Sequence, residues 1–377
     1  MRIQSILFLL ACFAASHQVF ANDVKRCGGD YVEWEGTPRF RASSRGFPQG
    51  HARSAALRTV VERWNNTAAN FQFNLTWNER NLSLGNGQNE IWFTANPDLL
   101  GLAPAAAFIW DDCGDFGFGD GNSEIEEVDV IFACDADPNW DRSCADYPNR
   151  VPWYYGTNSA NMWSYGGTQR PFRTTAMHEL GHALGLQHED DQYNIMGEDW
   201  THIHAYGNTA TAYPGEDATS GAILLYGLRA EAREDLAVVH WRHDPVDPAN
   251  GEYSNHSRTP ILDANGVELA DYRVNPGQRI RVVFTFENNG TSDHENVPVS
   301  FYLSRDRIIN LGDVWLADAS PNLARNSVYT REQVIDLPGS LVAGATYYIL
   351  AVVDPYNTIA ESYEDNNITN SKSFVAN

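Results

Sequence analysis

Basic residues are scarce in this chain. Across 377 residues, 26 Lys+Arg stand against 49 Asp+Glu, a formal net charge of −23. So large an acidic excess repels a nucleic-acid backbone or an anionic membrane surface, and neither is an expected partner. Long apolar runs are missing too: none reaches the roughly 18 residues that a membrane-spanning helix needs. Short Cys-x₂₋₄-Cys spacings are absent, which argues against a zinc site built on cysteines. No low-complexity segment or internal repeat stands out. What the chain does have is aromatic weight, with 11 Trp, 17 Tyr and 17 Phe making up 12% of residues. That excludes a disordered acidic chain, and the length accommodates two domains of about 100–200 residues each.

The N-terminus addresses the chain. Arg2 precedes the apolar stretch from Ile6 to Ala15, and Val19-Phe20-Ala21 supplies small residues for cleavage. The pattern predicts a signal peptide over residues 1–21 and a secreted protein, extracellular or periplasmic. Cys12 leaves with that segment, and Cys27, Cys113, Cys134 and Cys144 remain. An even count in an exported chain predicts two disulfides, with all three pairings open.

Helical and strand patterns alternate up to about residue 230. Ala56, Leu57, Val60, Val61 and Trp64 form a helical stripe over 52–64, while Phe71 to Trp77 alternates as a half-buried strand does. Residues 89–95, 104–110 and 127–134 read as further strands, and 174–184 and 220–230 as helices. From Asp235 onward only short alternating stretches remain, punctuated by Asn288-Asn289-Gly290, Pro338-Gly339 and Asp354-Pro355. Such spacing predicts an all-β sandwich. The boundary is expected near Glu231–Arg233, dividing the mature chain into 22–231 and 232–377, with 244–259 a loose insertion.

The chemistry concentrates in His178-Glu179-Leu180-Gly181-His182-Ala183-Leu184-Gly185-Leu186-Gln187-His188. Histidines four apart on a helix lie about 40° from eclipsed and roughly 6 Å apart along the axis, so both imidazoles can reach one metal ion. Gly185 tolerates the left-handed conformation that stops a helix, and the turn brings His188 back as a third ligand. Three histidines leave a tetrahedral zinc one open position, the arrangement of a catalytic site. Glu179, beside the first ligand, can reach a water there without ligating.

With Met196 following at eight residues, this segment resembles the metzincin zinc endopeptidases, matrixin-like members in particular. The resemblance implies an α+β catalytic domain with a mixed twisted sheet and an active-site helix. It implies one catalytic zinc held by His178, His182 and His188, with Glu179 as general base and Met196 as the floor beneath the metal. A protein or peptide substrate would lie extended along the strand near Pro104–Trp110. Two features depart from family patterns. Glu198 stands where some metzincins carry an additional tyrosine ligand, and no histidine between His51 and His178 is available for a second, structural zinc. Arg26-Cys27-Gly28 is faintly similar to the cysteine-switch segment of matrixin propeptides, although a disulfide accounts better for Cys27. His202 and His204 read as a surface loop, and His294 as surface.

Phe286-Glu287-Asn288-Asn289-Gly290, Phe301 to Asp306, Tyr347 to Asp354 and Glu361-Ser362-Tyr363-Glu364-Asp365-Asn366-Asn367 resemble the bacterial cell-adhesion-related domain. That likeness implies an immunoglobulin-like sandwich and leaves open a surface or matrix ligand. Residues 111–146 hold 12 acids against the single base Arg142 and read first as a solvated acidic loop, with the run 111–127 as an alternative calcium site by its hard carboxylate ligands. The expected protein is therefore a secreted zinc metalloendopeptidase. The other reading is an exported adhesion or binding protein whose metal site is vestigial.

Overall fold

The computed structural model describes residues 23–113, 123–135, 150–162, 170–189, 194–197, 203–239 and 258–377. Its first half is built on a seven-stranded mixed sheet. The strands run in the order Arg26–Cys27, Asp30–Glu33, Ser123–Ala133, Asn89–Thr94, Arg39–Ser43 and Asn74–Glu79, and Ala105–Asp111 also pairs with Ser123–Ala133. Neighbours from Asn74–Glu79 to Ser123–Ala133 are parallel, whereas Ala105–Asp111 is antiparallel. The long strand is buried almost throughout from Ile125 to Ala133, as expected where both faces of a sheet are covered. Among the described residues Ala105–Asp111 has only this one strand partner, so it forms a sheet edge.

Two helices pack on this sheet. Ala52–Asn65 starts at His51, whose side chain caps the Arg53 N–H at 3.3 Å. Phe172–His182 is anchored at its first residue: Phe93 and Phe132, register partners on neighbouring strands, both pack on the Phe172 ring. Trp64 joins the helices by donating its indole N–H to the Met177 carbonyl at 3.1 Å. A further helix, Gly215–Tyr226, begins five residues before the expected start, with Glu216 and Asp217 placed favourably in its first turn.

One expected strand is displaced. The alternation over Phe71 to Trp77 becomes the strand Asn74–Glu79, because side chains capture the earlier backbone. Asn65 takes both the N–H and the carbonyl of Phe73, at 2.7 and 3.0 Å, and Arg229 takes the Phe71 carbonyl at 2.9 Å. Those groups are withdrawn from any ladder.

The second half consists of two sheets around one apolar core containing Phe284, Phe286, Phe301, Ile349 and Phe374. The strand Leu236–Val239 alternates between two cores. Leu236 and Val238 enter the sandwich core, while Ala237 and Val239 join the core of the first half. Polar contacts continue this seam. Arg63 donates to both oxygens of Asp365 at 2.7 and 2.9 Å and lies 3.7 Å over the Tyr363 ring. Thr369 and Arg258 both donate to the Ala205 carbonyl, at 2.8 and 3.0 Å.

Two histidine expectations are corrected here. His204 is not on a surface loop: it lies in the strand Ile203–Tyr206 beneath the sandwich, 1% exposed. His294 is largely covered and meets the Glu234 carboxylate at 2.9 Å. The seam also carries perturbed carboxyls. Burial pushes Asp235 up to about 7, against the hydrogen bond from Asn366, and pushes Glu361 up to about 8. The folded chain thus keeps protons that an unfolded chain releases near pH 4, and that stabilisation is lost as pH rises through about 7 and about 8. The thermal midpoint should therefore fall between about pH 4 and about pH 8 and level off above, and Asp235→Asn should flatten the decline. An identical slope in the variant would acquit this carboxyl.

Candidate active site

The helix Phe172–His182 puts His178 and His182 on one face, and Gly185, at φ 97°, lets the chain reverse so that His188 faces them. The three Nε2 atoms lie 3.0 Å (His178 to His182), 3.1 Å (His178 to His188) and 3.1 Å (His182 to His188) apart. The opposite ring nitrogens explain why these are not ordinary hydrogen bonds. His178 Nδ1 faces the Ile195 carbonyl and His182 Nδ1 the Leu186 carbonyl, each at 2.8 Å. A carbonyl only accepts, so both Nδ1 atoms carry the proton and both Nε2 atoms present lone pairs to the centre. Burial, then the neighbouring His182, pushes His178 down to about 3; burial pushes His182 down to about 4. Both imidazoles are neutral at neutral pH.

Converging lone pairs at this separation suit a cation. Zinc–nitrogen bonds of about 2.0–2.1 Å in a tetrahedron set the nitrogens about 3.3 Å apart, close to what is seen. Among the described residues this is the one group of three or more ligating side chains close enough to share an ion.

Glu179 sits on the adjoining side of the same helix, 6% exposed, and its carboxylate accepts the Ala107 N–H of the edge strand. Burial raises its carboxyl to about 8, against the pull of that hydrogen bond. Met196 lies under the helix: a Cβ on Gly181 would come within 2.3 Å of its sulfur. Its turn is closed by Asn194, which accepts the Met196 N–H at 2.6 Å, and the preceding Ile195 carbonyl orients His178. All five residues singled out from the motif and its following methionine thus come together.

Two groups were not legible as part of the site. Trp34 donates its indole N–H to the Ala183 carbonyl at 2.8 Å, and Tyr226 donates its hydroxyl to the Leu184 carbonyl at 2.6 Å. They hold the turn between the second and third histidines, and no spacing in the sequence announces either contact.

The candidate calcium run finds no support among the described residues. Glu127 accepts the N–H groups of Asn86 and Gly87 at 2.8 and 2.7 Å, and Asp112 accepts that of Glu124 at 2.8 Å. Asp111 forms an ion pair with Lys25. Glu198, His202 and Cys144 lie outside the described residues. The structure resolves one pairing left open above, a Cys27–Cys113 disulfide, and Cys134 is disulfide-bonded as well.

The matrixin family model matches residues 114–227 and the CARDB family model residues 266–371. The chain carries a matrixin domain followed by a CARDB domain. No curated protein matches it. Among solved structures, the solution structure of a CARDB domain from Pyrococcus furiosus is 16% identical, covering 39% of this chain and 97% of its own at a TM-score of 0.25. The crystal structure of that domain with di-metal ions is 12% identical over 39% of this chain and 90% of its own, at 0.24. A Geobacter metallireducens solution structure is 24% identical over 31% of this chain and 91% of its own, at 0.22.

Proposed function

We propose that the chain is a secreted zinc-dependent endopeptidase with His178, His182 and His188 as metal ligands and Glu179 as general base. The observation that carries this reading is the convergence of three Nε2 atoms at 3.0–3.1 Å beside a buried glutamate. Zinc held by these three histidines would supply Lewis-acid polarisation of a scissile carbonyl and would lower the pKa of water toward about 7.

The chain's own residues do the rest. Glu179 accepts the proton of the attacking water and delivers it to the leaving amine, from a fixed position set by the Ala107 N–H. The edge strand Ala105–Asp111 receives an extended peptide as an added strand, which places the scissile bond beside the helix. Trp34 and Tyr226 keep the His188 turn from relaxing. Export is supported by the apolar N-terminal pattern and the Cys27–Cys113 disulfide. No helix of the described residues is long and apolar enough to cross a membrane.

Casein cleavage by the purified full chain should be abolished by a zinc chelator and restored by added zinc. Cleavage that survives removal of the metal would defeat the reading.

A further inference from the structure

The segment just before the Arg26–Cys27 strand runs alongside the turn that carries the third histidine. Lys25 donates its backbone N–H to the Gly185 carbonyl at 2.8 Å, and Gln187 donates its own to the Asp23 carbonyl at 2.8 Å. Val24, between them, is 3% exposed and forms an antiparallel bridge with Leu186. At its other end the same segment is tied to the terminus of the substrate-side edge strand. The Lys25 ammonium pairs with Asp111, the last residue of Ala105–Asp111, and Cys27 is bonded to Cys113. The chain then turns through Gly28 and returns as Asp30–Glu33, which is held to the segment by the Val32 N–H on the Lys25 carbonyl at 3.0 Å.

We infer that residues 23–27 are a positioning strap, linking the end of the edge strand to the His188 turn and setting how tightly the triad retains its ion. This rests on the zinc reading above. With the disulfide and ion pair removed, the strap is left with backbone bonds, its own strand pairing and the burial of one valine, and a segment so loosely tied opens locally. The Gly185 carbonyl and the Gln187 N–H then lose fixed partners, three residues and one residue from His188. Groups that orient metal ligands typically govern affinity by about 10–100-fold.

The test uses the full chain with Cys27→Ser and Cys113→Ser together, so that no orphan thiol remains, and separately Lys25→Met, which keeps the disulfide. Zinc dissociation constants come from chelator competition well below the unfolding temperature, with thermal midpoints of metal-free and zinc-loaded protein measured in parallel. The double variant should bind zinc about tenfold more weakly, with Lys25→Met shifted in the same direction by less. The gap between zinc-loaded and metal-free midpoints should narrow with it. A mere staple would lower both midpoints equally and leave the dissociation constant unchanged, and that result overturns the strap alone. A wild-type chain that binds no zinc overturns the strap and the peptidase reading together. Should the double variant fail to accumulate as folded protein, an unaltered dissociation constant in Lys25→Met is decisive against the proposal.

Discussion

Glu179→Gln should lower kcat for peptide cleavage by about 10²–10⁴-fold, the usual worth of a positioned general base, while zinc stays bound at one ion per chain. Glutamine has the same shape. Its amide oxygen can still accept the Ala107 N–H, so the link between helix and edge strand survives. What it cannot do is take a proton from water and return it. The ligand set is untouched, because the bonds that orient His178 and His182 run to Ile195 and Leu186 rather than to Glu179. Michaelis constants should change little, since substrate binding along the edge strand does not depend on proton transfer. Cleavage within tenfold of wild type would remove Glu179 from the mechanism. Loss of zinc together with activity would mean that it acts on the ligands instead.

Gly185→Ala is expected to cost roughly 2–4 kcal/mol of stability and to strip the metal site with it. Two penalties combine at this position. At φ 97° an L side chain is strained, and a Cβ there would stand 2.7 Å from the Val32 carbonyl oxygen, a backbone atom of a sheet strand that cannot swing aside. Gly28 supplies the comparison, with φ 62° but open space around its Cβ position. Gly28→Ala should therefore cost only about 1 kcal/mol, the left-handed penalty alone. Urea unfolding of both variants without metal separates the terms. Equal losses would show that the close approach of Asp30–Glu33 to the histidine turn contributes nothing.

The convergence of the three histidines was readable because it is local. Histidines four apart on a helix, a glycine and a third histidine define their own geometry, and His178, His182 and His188 meet as that spacing requires. The helix Ala52–Asn65 and the strand Asn89–Thr94 likewise follow their own periodicities. What escaped depends on distant partners. The start of Asn74–Glu79 is decided by Asn65 and Arg229, and His204 is covered by a domain that begins some thirty residues later in the chain. The acidic segment was misleading for the same reason. Glu127 closes the candidate calcium run, yet the loop after Asn74–Glu79 folds back and gives Glu127 the N–H groups of Asn86 and Gly87, and its neighbour Asp129 that of Gly85. Composition reports how many charges a segment holds, and only tertiary structure reports what they bind.

This triad is expected to hold one zinc ion in an active peptidase. That expectation is tested most directly by zinc content and casein cleavage measured on one sample of the purified full chain. One ion per chain together with cleavage is the expected result. One ion per chain with no cleavage of casein, gelatin or a varied peptide library would contradict it, and would leave a zinc-binding exported protein whose site does no proteolysis.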